Sequence, residues 1–113
     1  MKLVSKHVLF VCSQNRLRSP TAERVFSGKP GFEVASAGLN HDADEPISPD
    51  LLHWADVIFV MEKRHRDRLS KRFKAHLKGK KVICLNIPDD YEYMDPEMIK
   101  LLKKSIGSFF QKG

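Results

Sequence analysis

Four short apolar runs, each followed by a stretch of helical character, constrain this chain more than any other feature. The runs are "HVLFVC" (7–12), "FEVASAG" (32–38), "DVIFVM" (56–61) and "KVICLNI" (81–87). All are of strand length and most are rich in valine or isoleucine. The first is apolar almost throughout, as a strand covered on both faces of a parallel sheet should be. The stretches between them predict helices over 19–28, 48–55, 63–78 and 95–112. Ser19-Pro20 and Ser48-Pro49 each suit an N-cap followed by the first helical position. Asp95-Pro96 opens the last helix, and Gly28 and Gly79 suit helix ends. Leu69, Phe73 and Leu77 form a core-facing stripe on the third helix. The order β-α-β-α-β-α-β-α predicts an α/β fold: a small doubly wound, four-stranded parallel sheet in order 2-1-3-4, with helices on both faces.

A length of 113 residues, 42% of them apolar, fits one domain over 1–113 with an ordinary core. No apolar stretch approaches the ~20 residues that cross a bilayer. The start "MKLVSKHVLFVC" runs into a polar loop and not into a small-residue cleavage site, so no signal peptide is expected. A cytoplasmic protein without membrane association is the expectation. Cys12 and Cys84 form no C-x-x-C pair, and the five histidines show no ligand spacing. Neither a disulfide scaffold nor a metal is therefore expected, and no cofactor is implied. The net charge of +6 is concentrated: residues 63–81 hold ten of the twenty Lys and Arg residues and one acid, Asp67. Such a segment suits an anionic partner, nucleic acid included, or simply a solvated helix face.

In a doubly wound sheet, ligands bind beyond the carboxyl ends of the strands, where the strand order reverses. The loop "CSQNRLRS", residues 12–19, leaves the first strand at that point. Its backbone amides, from Ser13 and Gln14 through Asn15, Arg16 and Leu17, can turn inward as a nest for an anion. The following helix adds the positive end of its dipole. Both favour a thiolate at Cys12, the nucleophilic form of cysteine. Arg18 supplies a planar fork for two phosphate oxygens. Cys12 can then attack phosphorus and form a phosphocysteine. Ser19 can hydrogen-bond the sulfur, and Asn15 tolerates the left-handed backbone that a curled loop without glycine needs. The alternative is a strand-end thiol packed in the core beside a surface arginine.

A departing ester oxygen needs a proton, and a carboxylic acid at the same sheet edge can give it. "IPDDYEYMDP" offers Asp89, Asp90 and Asp95. Asp95 suits a helix cap, and Asp89 is favoured because it follows the strand and Pro88 directly. Tyr91 and Tyr93 either wall an aromatic substrate or pack the loop onto the body. Trp54 is read as core.

"VLFVCSQNRLRSPTAE" resembles the phosphate-binding loop and first helix of the low-molecular-weight protein tyrosine phosphatases. "VASAG", "ADVIFVMEKRHRDRL" and "IPDDYEY" resemble that family's later landmarks, in the same order. The resemblance implies a metal-independent phosphatase acting on phosphorylated protein or small phosphomonoesters in two steps. It implies Cys12 as nucleophile, Arg18 as phosphate ligand, Asn15 and Ser19 as loop supports, and Asp89 as general acid. The chain departs from the family in several places. It is shorter between "SAG" and "ADVIFVM", where the substrate cleft is usually walled. Leu17 replaces a common second cysteine, so a vicinal redox switch is not expected. Arg16 stands at a usually apolar position. Asp90 replaces a proline, which leaves Asp89 and Asp90 both open. Glu62 keeps the place of an acid, and His65 takes that of a polar amide.

Two other functions fit parts of the pattern. A thiol-dependent arsenate reductase would use a similar loop but needs resolving cysteines, and only Cys84, in an apolar strand, remains. A non-catalytic module could bind nucleic acid or an acidic protein through residues 63–81, although that segment lacks interleaved aromatics.

Overall fold

A computed structural model describes residues 5–110. Strands β1 (Lys6–Cys12), β2 (Phe32–Gly38), β3 (Val57–Val60) and β4 (Lys81–Cys84) form one parallel sheet in order β2-β1-β3-β4. Helices α1 (Arg18–Phe26), α2 (Pro49–Trp54) and α3 (Lys63–Phe73) make the crossovers, and with α4 (Pro96–Ile106) they form the outer layers. The sheet order and both-face coverage are those the apolar pattern predicts.

Strand alternation divides the core in two. Val8, Phe10 and Cys12 face α1 and α4, where they meet Phe26, Met98, Leu102 and Phe110. Leu9 and Val11 face α2 and α3, where they meet Leu52 and Leu69. All of Val8 to Val11 is fully buried, which explains why the run is apolar without alternation. The first half-core is aromatic: Phe10 lies 5.6 Å from Phe59 and 6.0 Å from Phe26, and Phe26 stacks on Phe110 at 4.3 Å. Leu69 is buried in the second half-core, with Phe73 and Leu77 half-buried against it, as their stripe predicts.

Several boundaries differ from the expectation. Helix α1 begins at Arg18 with Leu17 at the N-cap, where no side chain caps it. Ser19 is inside the helix because its hydroxyl is engaged with the loop. The basic helix ends at Phe73 and tightens into a 3₁₀ turn, Lys74–His76, before Gly79 takes φ 76°. β4 stops at Cys84, yet its edge continues: Leu85 N–H donates to Val60 O and Ile87 N–H to Met61 O. Asn86, at φ 57°, interrupts regular strand geometry between them. The last helix ends at Ile106 and continues as a 3₁₀ turn to Phe110, with residues 111–112 outside the described range. Ser48 and Asp95 cap α2 and α4 as expected, accepting from Leu51 N–H and Glu97 N–H. Trp54 is half-buried, stacked on His7 at 4.5 Å, and so belongs to the margin of the core.

The aromatic half-core sets a stability prediction. Phe10→Ala removes the ring that touches Phe26, Phe59 and Phe110, and is expected to cost about 3–5 kcal/mol. Urea denaturation should show this as a lowered midpoint with little change in slope.

Candidate active site

β1 delivers Cys12 to the carboxyl edge of the sheet, and the chain then curls through Ser13–Leu17 into α1. Asn15 sits at φ 57°, the left-handed geometry expected of it. That turn aims the Asn15 N–H at the Cys12 sulfur, 3.2 Å away. The Ser19 hydroxyl lies 3.0 Å from the same sulfur and 2.9 Å from Asn15 Oδ1. With a neutral thiol, protons can run from sulfur to Ser19 to Asn15. With a thiolate, the hydroxyl swings to the sulfur, so two donors then stabilise the negative charge. Asn15 and Ser19, at 6% and 0% exposure, stand behind the loop.

A cavity of about 310 Å³ opens in front of it, lined by Cys12, Ser13, Gln14, Arg16, Leu17, Arg18 and Asp89. Six of these come from the loop and one from the segment after β4. Asp90 is not among them, and Asp95 is occupied as a cap. Tyr91 packs on the aromatic half-core, and Tyr93 is exposed away from the lining.

Arg18 is only 3% exposed, so its charge needs partners. Its Nη1 donates to the Glu62 carboxylate and, at 2.7 Å, to Ile87 O. That leaves the Nε and Nη2 edge for a bidentate anion, with Asp89 Oδ1 3.7 Å from Nε. Glu62 also accepts from Arg64 at 3.0 Å. The Arg64 and Arg18 guanidiniums together hold its carboxyl down to about 2. The sequence marks Glu62 as an acid after β3 but does not encode this contact. The available signal was an acid directly after β3, at the same sheet edge as the loop.

His65 is fully buried one turn later. Its Nδ1 accepts the Glu62 N–H at 3.1 Å, and its Nε2 lies 3.0 Å from Ser13 Oγ. Burial, with the Arg18 charge adding to it, pushes its pKa down to about 4.

The outside of the loop is held by the chain after β2. Leu39 N–H donates to Cys12 O, Asn40 N–H to Ser13 O and Asp44 N–H to Gln14 O. Gly38 permits the approach: a Cβ there would lie 2.7 Å from Ser13 O and 2.5 Å from the Ala43 Cβ. Arg64, Arg68 and Arg72 recur every fourth residue along α3. Arg68 donates to Asn40 Oδ1 and Arg72 to Leu39 O, bracing this same segment. Part of the basic helix is thereby committed to internal bonds. Arg16, exposed at the cavity mouth, pairs with Asp44 at 3.2 Å.

Cys84 pairs in register with Val60, and Val60 with Val11, so it lies two strands from β1. Two inter-strand spacings amount to roughly 10 Å. That is beyond the reach of a disulfide with Cys12 without backbone movement. Among the described residues, no cluster of three or more His, Cys, Asp or Glu could hold a metal ion.

The parallel sheet thus carries a thiol at the base of one loop and a buried arginine at its far end, a pair that can bind and attack an anion. No protein-family model matches the chain. It is 32% identical to the protein named "Probable low molecular weight protein-tyrosine-phosphatase AmsI" of Erwinia amylovora, over 90% of this chain and 83% of that one. The solved structure of Vibrio vulnificus Wzb in complex with benzylphosphonate superposes with a TM-score of 0.79 at 24% identity, covering 96% of this chain and 99% of that one. The YwlE arginine phosphatase from Geobacillus stearothermophilus superposes with a TM-score of 0.79 at 22% identity, covering 95% and 92%. The chain belongs to the low-molecular-weight protein tyrosine phosphatase family.

Two predictions follow from the packing around the loop. Gly38→Ala should displace Ser13 and Asn15 and lower turnover about tenfold or more, the scale of misplacing reacting groups by a fraction of an ångström. Steady-state kinetics beside a melting curve separate this from unfolding. The second concerns pH. An unfolded imidazole titrates near 6.5 but folded His65 near 4, so between those values the unfolded chain binds a proton the folded chain refuses. Stability should fall by about 3 kcal/mol as pH drops through that window, with no contribution above it. The depressed Glu62 carboxyl adds a loss that begins near its ordinary 4.5 and runs towards 2. Denaturation of wild type and His65→Gln across pH 4–7 should show the upper part of the slope only in wild type.

Proposed function

We propose that this chain is a single phosphatase-like domain that hydrolyses phosphomonoesters, with protein phosphotyrosine as the leading substrate. Cys12 and the free edge of Arg18 face one cavity, with Asp89 beside them, and that observation carries the reading. The Cys12 thiolate attacks phosphorus, forming an S–P bond as the ester P–O bond breaks. The electron pair leaves with the ester oxygen, which takes its proton from the Asp89 carboxylic acid. Loop amides and the Nε and Nη2 hydrogens of Arg18 hold the equatorial oxygens as charge builds. Water then attacks the phosphocysteine and gives a proton to the Asp89 carboxylate. The S–P bond breaks, and phosphate and thiolate are regenerated. Ser13, Gln14, Arg16 and Leu17 surround the substrate, and Asn15 and Ser19 hold the sulfur.

Leu17, 37% exposed at the cavity, gives an aromatic leaving group an apolar contact. That contact favours phosphotyrosine over phosphoarginine, since the Arg16 charge at the mouth is already paired with Asp44. The reaction consumes no cofactor. No described helix is long and apolar enough to cross a membrane. Its free thiols suit the reducing cytoplasm, where we place it.

Purified protein should hydrolyse an aryl phosphate in the presence of a chelator. Cys12→Ser should abolish turnover, and Arg18→Lys, which keeps charge but loses the fork, should weaken it strongly. Asp89→Asn should lower kcat about a hundredfold with little change in KM, whereas Asp90→Asn should leave both close to wild type. Full activity in Cys12→Ser would refute the mechanism. Loss in Asp90→Asn instead would move the acid by one residue.

A further inference from the structure

We infer that His65 is a positioning residue that makes the Ser13 hydroxyl a hydrogen-bond donor to the bound phosphoryl group, an inference that rests on the phosphatase reading above. A backbone N–H can only donate, so the Glu62 N–H, 3.1 Å from His65 Nδ1, requires an unprotonated Nδ1. The neutral ring then carries its hydrogen on Nε2, which donates to Ser13 Oγ at 3.0 Å. One lone pair of that oxygen is now used, and its own hydrogen is left for another acceptor. Ser13 lines the cavity that holds Cys12 and Arg18. A dianionic phosphoryl group there offers only acceptors, and it meets an O–H whose lone pair is turned away.

The arrangement depends on a neutral ring. Protonation would place a second hydrogen on Nδ1, facing the Glu62 N–H. Arg18 from α1, and Arg64 and Arg68 from the same helix, all oppose that charge, while Glu62 favours it. Burial decides the balance, since His65 has no exposed surface. The two residues are 52 positions apart in sequence and form one functional pair. Without a hydroxyl at position 13, the Nε2 hydrogen would be a buried donor lacking its partner. Glu62 and His65 sit in a single turn at the start of α3, and between them they grip Arg18 and Ser13 at opposite ends of the phosphate loop.

Two measurements test this. In ¹⁵N-labelled wild type without ligand, imidazole ¹H–¹⁵N correlations at neutral pH should show the Nε2–H tautomer for His65. The Nδ1–H tautomer, or a protonated ring, would overturn the inference. The second measurement is inhibition by inorganic phosphate, with kcat and KM for an aryl phosphate, in Ser13→Ala, Ser13→Thr, His65→Leu, His65→Gln and the Ser13→Ala/His65→Leu double variant. Ser13→Ala should weaken phosphate binding about tenfold, the scale of one hydrogen bond to a charged group. Ser13→Thr and His65→Gln each keep a donor in place and should recover most of that loss. The double variant should be no worse than the worse single one, because both act through one hydroxyl. Unchanged phosphate affinity in Ser13→Ala, or losses that simply add, would overturn the inference. If His65→Leu does not fold, the tautomer and the Ser13 variants decide it. A wild type that neither binds phosphate nor turns over ester would bring down the phosphatase reading and this inference with it. A fully active wild type beside a fully active Ser13→Ala removes this inference alone.

Discussion

The buried Arg18 guanidinium is the constraint around which the rest of the molecule is arranged. A cation at 3% exposure is tolerable only if its hydrogen-bonding groups are met. Glu62 and Ile87 O meet two of those needs, and they come from the ends of two different strands. The ion pair and the bond to Ile87 O therefore fix the end of the loop after β1 relative to β3 and to the segment after β4. It also settles which edge of the guanidinium faces the cavity. Because Nη1 is used internally, the Nε and Nη2 edge, with Asp89 Oδ1 3.7 Å from Nε, is the one that can meet an anion in the proposed mechanism.

The loop's other end is held by quite different means. The cysteine ends a strand buried from Val8 onward, and three backbone carbonyls of the loop are bonded to the chain after β2. Two arginines of the basic helix brace that stretch from outside. A concentration of positive charge that would suit nucleic acid thus has a second use as scaffold. Arg68 and Arg72 bond back onto that segment, while lysines such as Lys71, Lys74 and Lys78 are exposed.

Much of the fold was legible because it rests on local pattern. The apolar runs identified all four strands, and their alternation with helices gave the sheet order. The loop was legible for the same reason: Cys12, Arg18 and Ser19-Pro20 follow a strand within a dozen residues. What failed was local logic where tertiary demand overrode it. Ser19 has the composition of an N-cap, but its hydroxyl serves the sulfur, and the N-cap falls two residues earlier, at Leu17, without a side-chain cap. The third helix keeps its apolar stripe through Leu77, yet its backbone tightens after Phe73. The contacts of Glu62 and His65 span 44 and 52 positions, and no periodicity encodes such a distance. Asp89 is favoured over the adjacent Asp90 only by its place directly after the strand and Pro88, and the family resemblance leaves both open. Only the path of the chain after Asn86 turns the first towards Arg18.

The central claim is that chemistry passes through a covalent bond to the Cys12 sulfur. Acid quenching of aryl phosphate turnover within the first cycle, followed by mass spectrometry of the proteolysed chain, measures this directly. A phosphoryl group should appear on the peptide carrying Cys12, with a burst of the released alcohol, and be absent from Cys12→Ser. Turnover with phosphate on another side chain, or on none despite a burst, would contradict it.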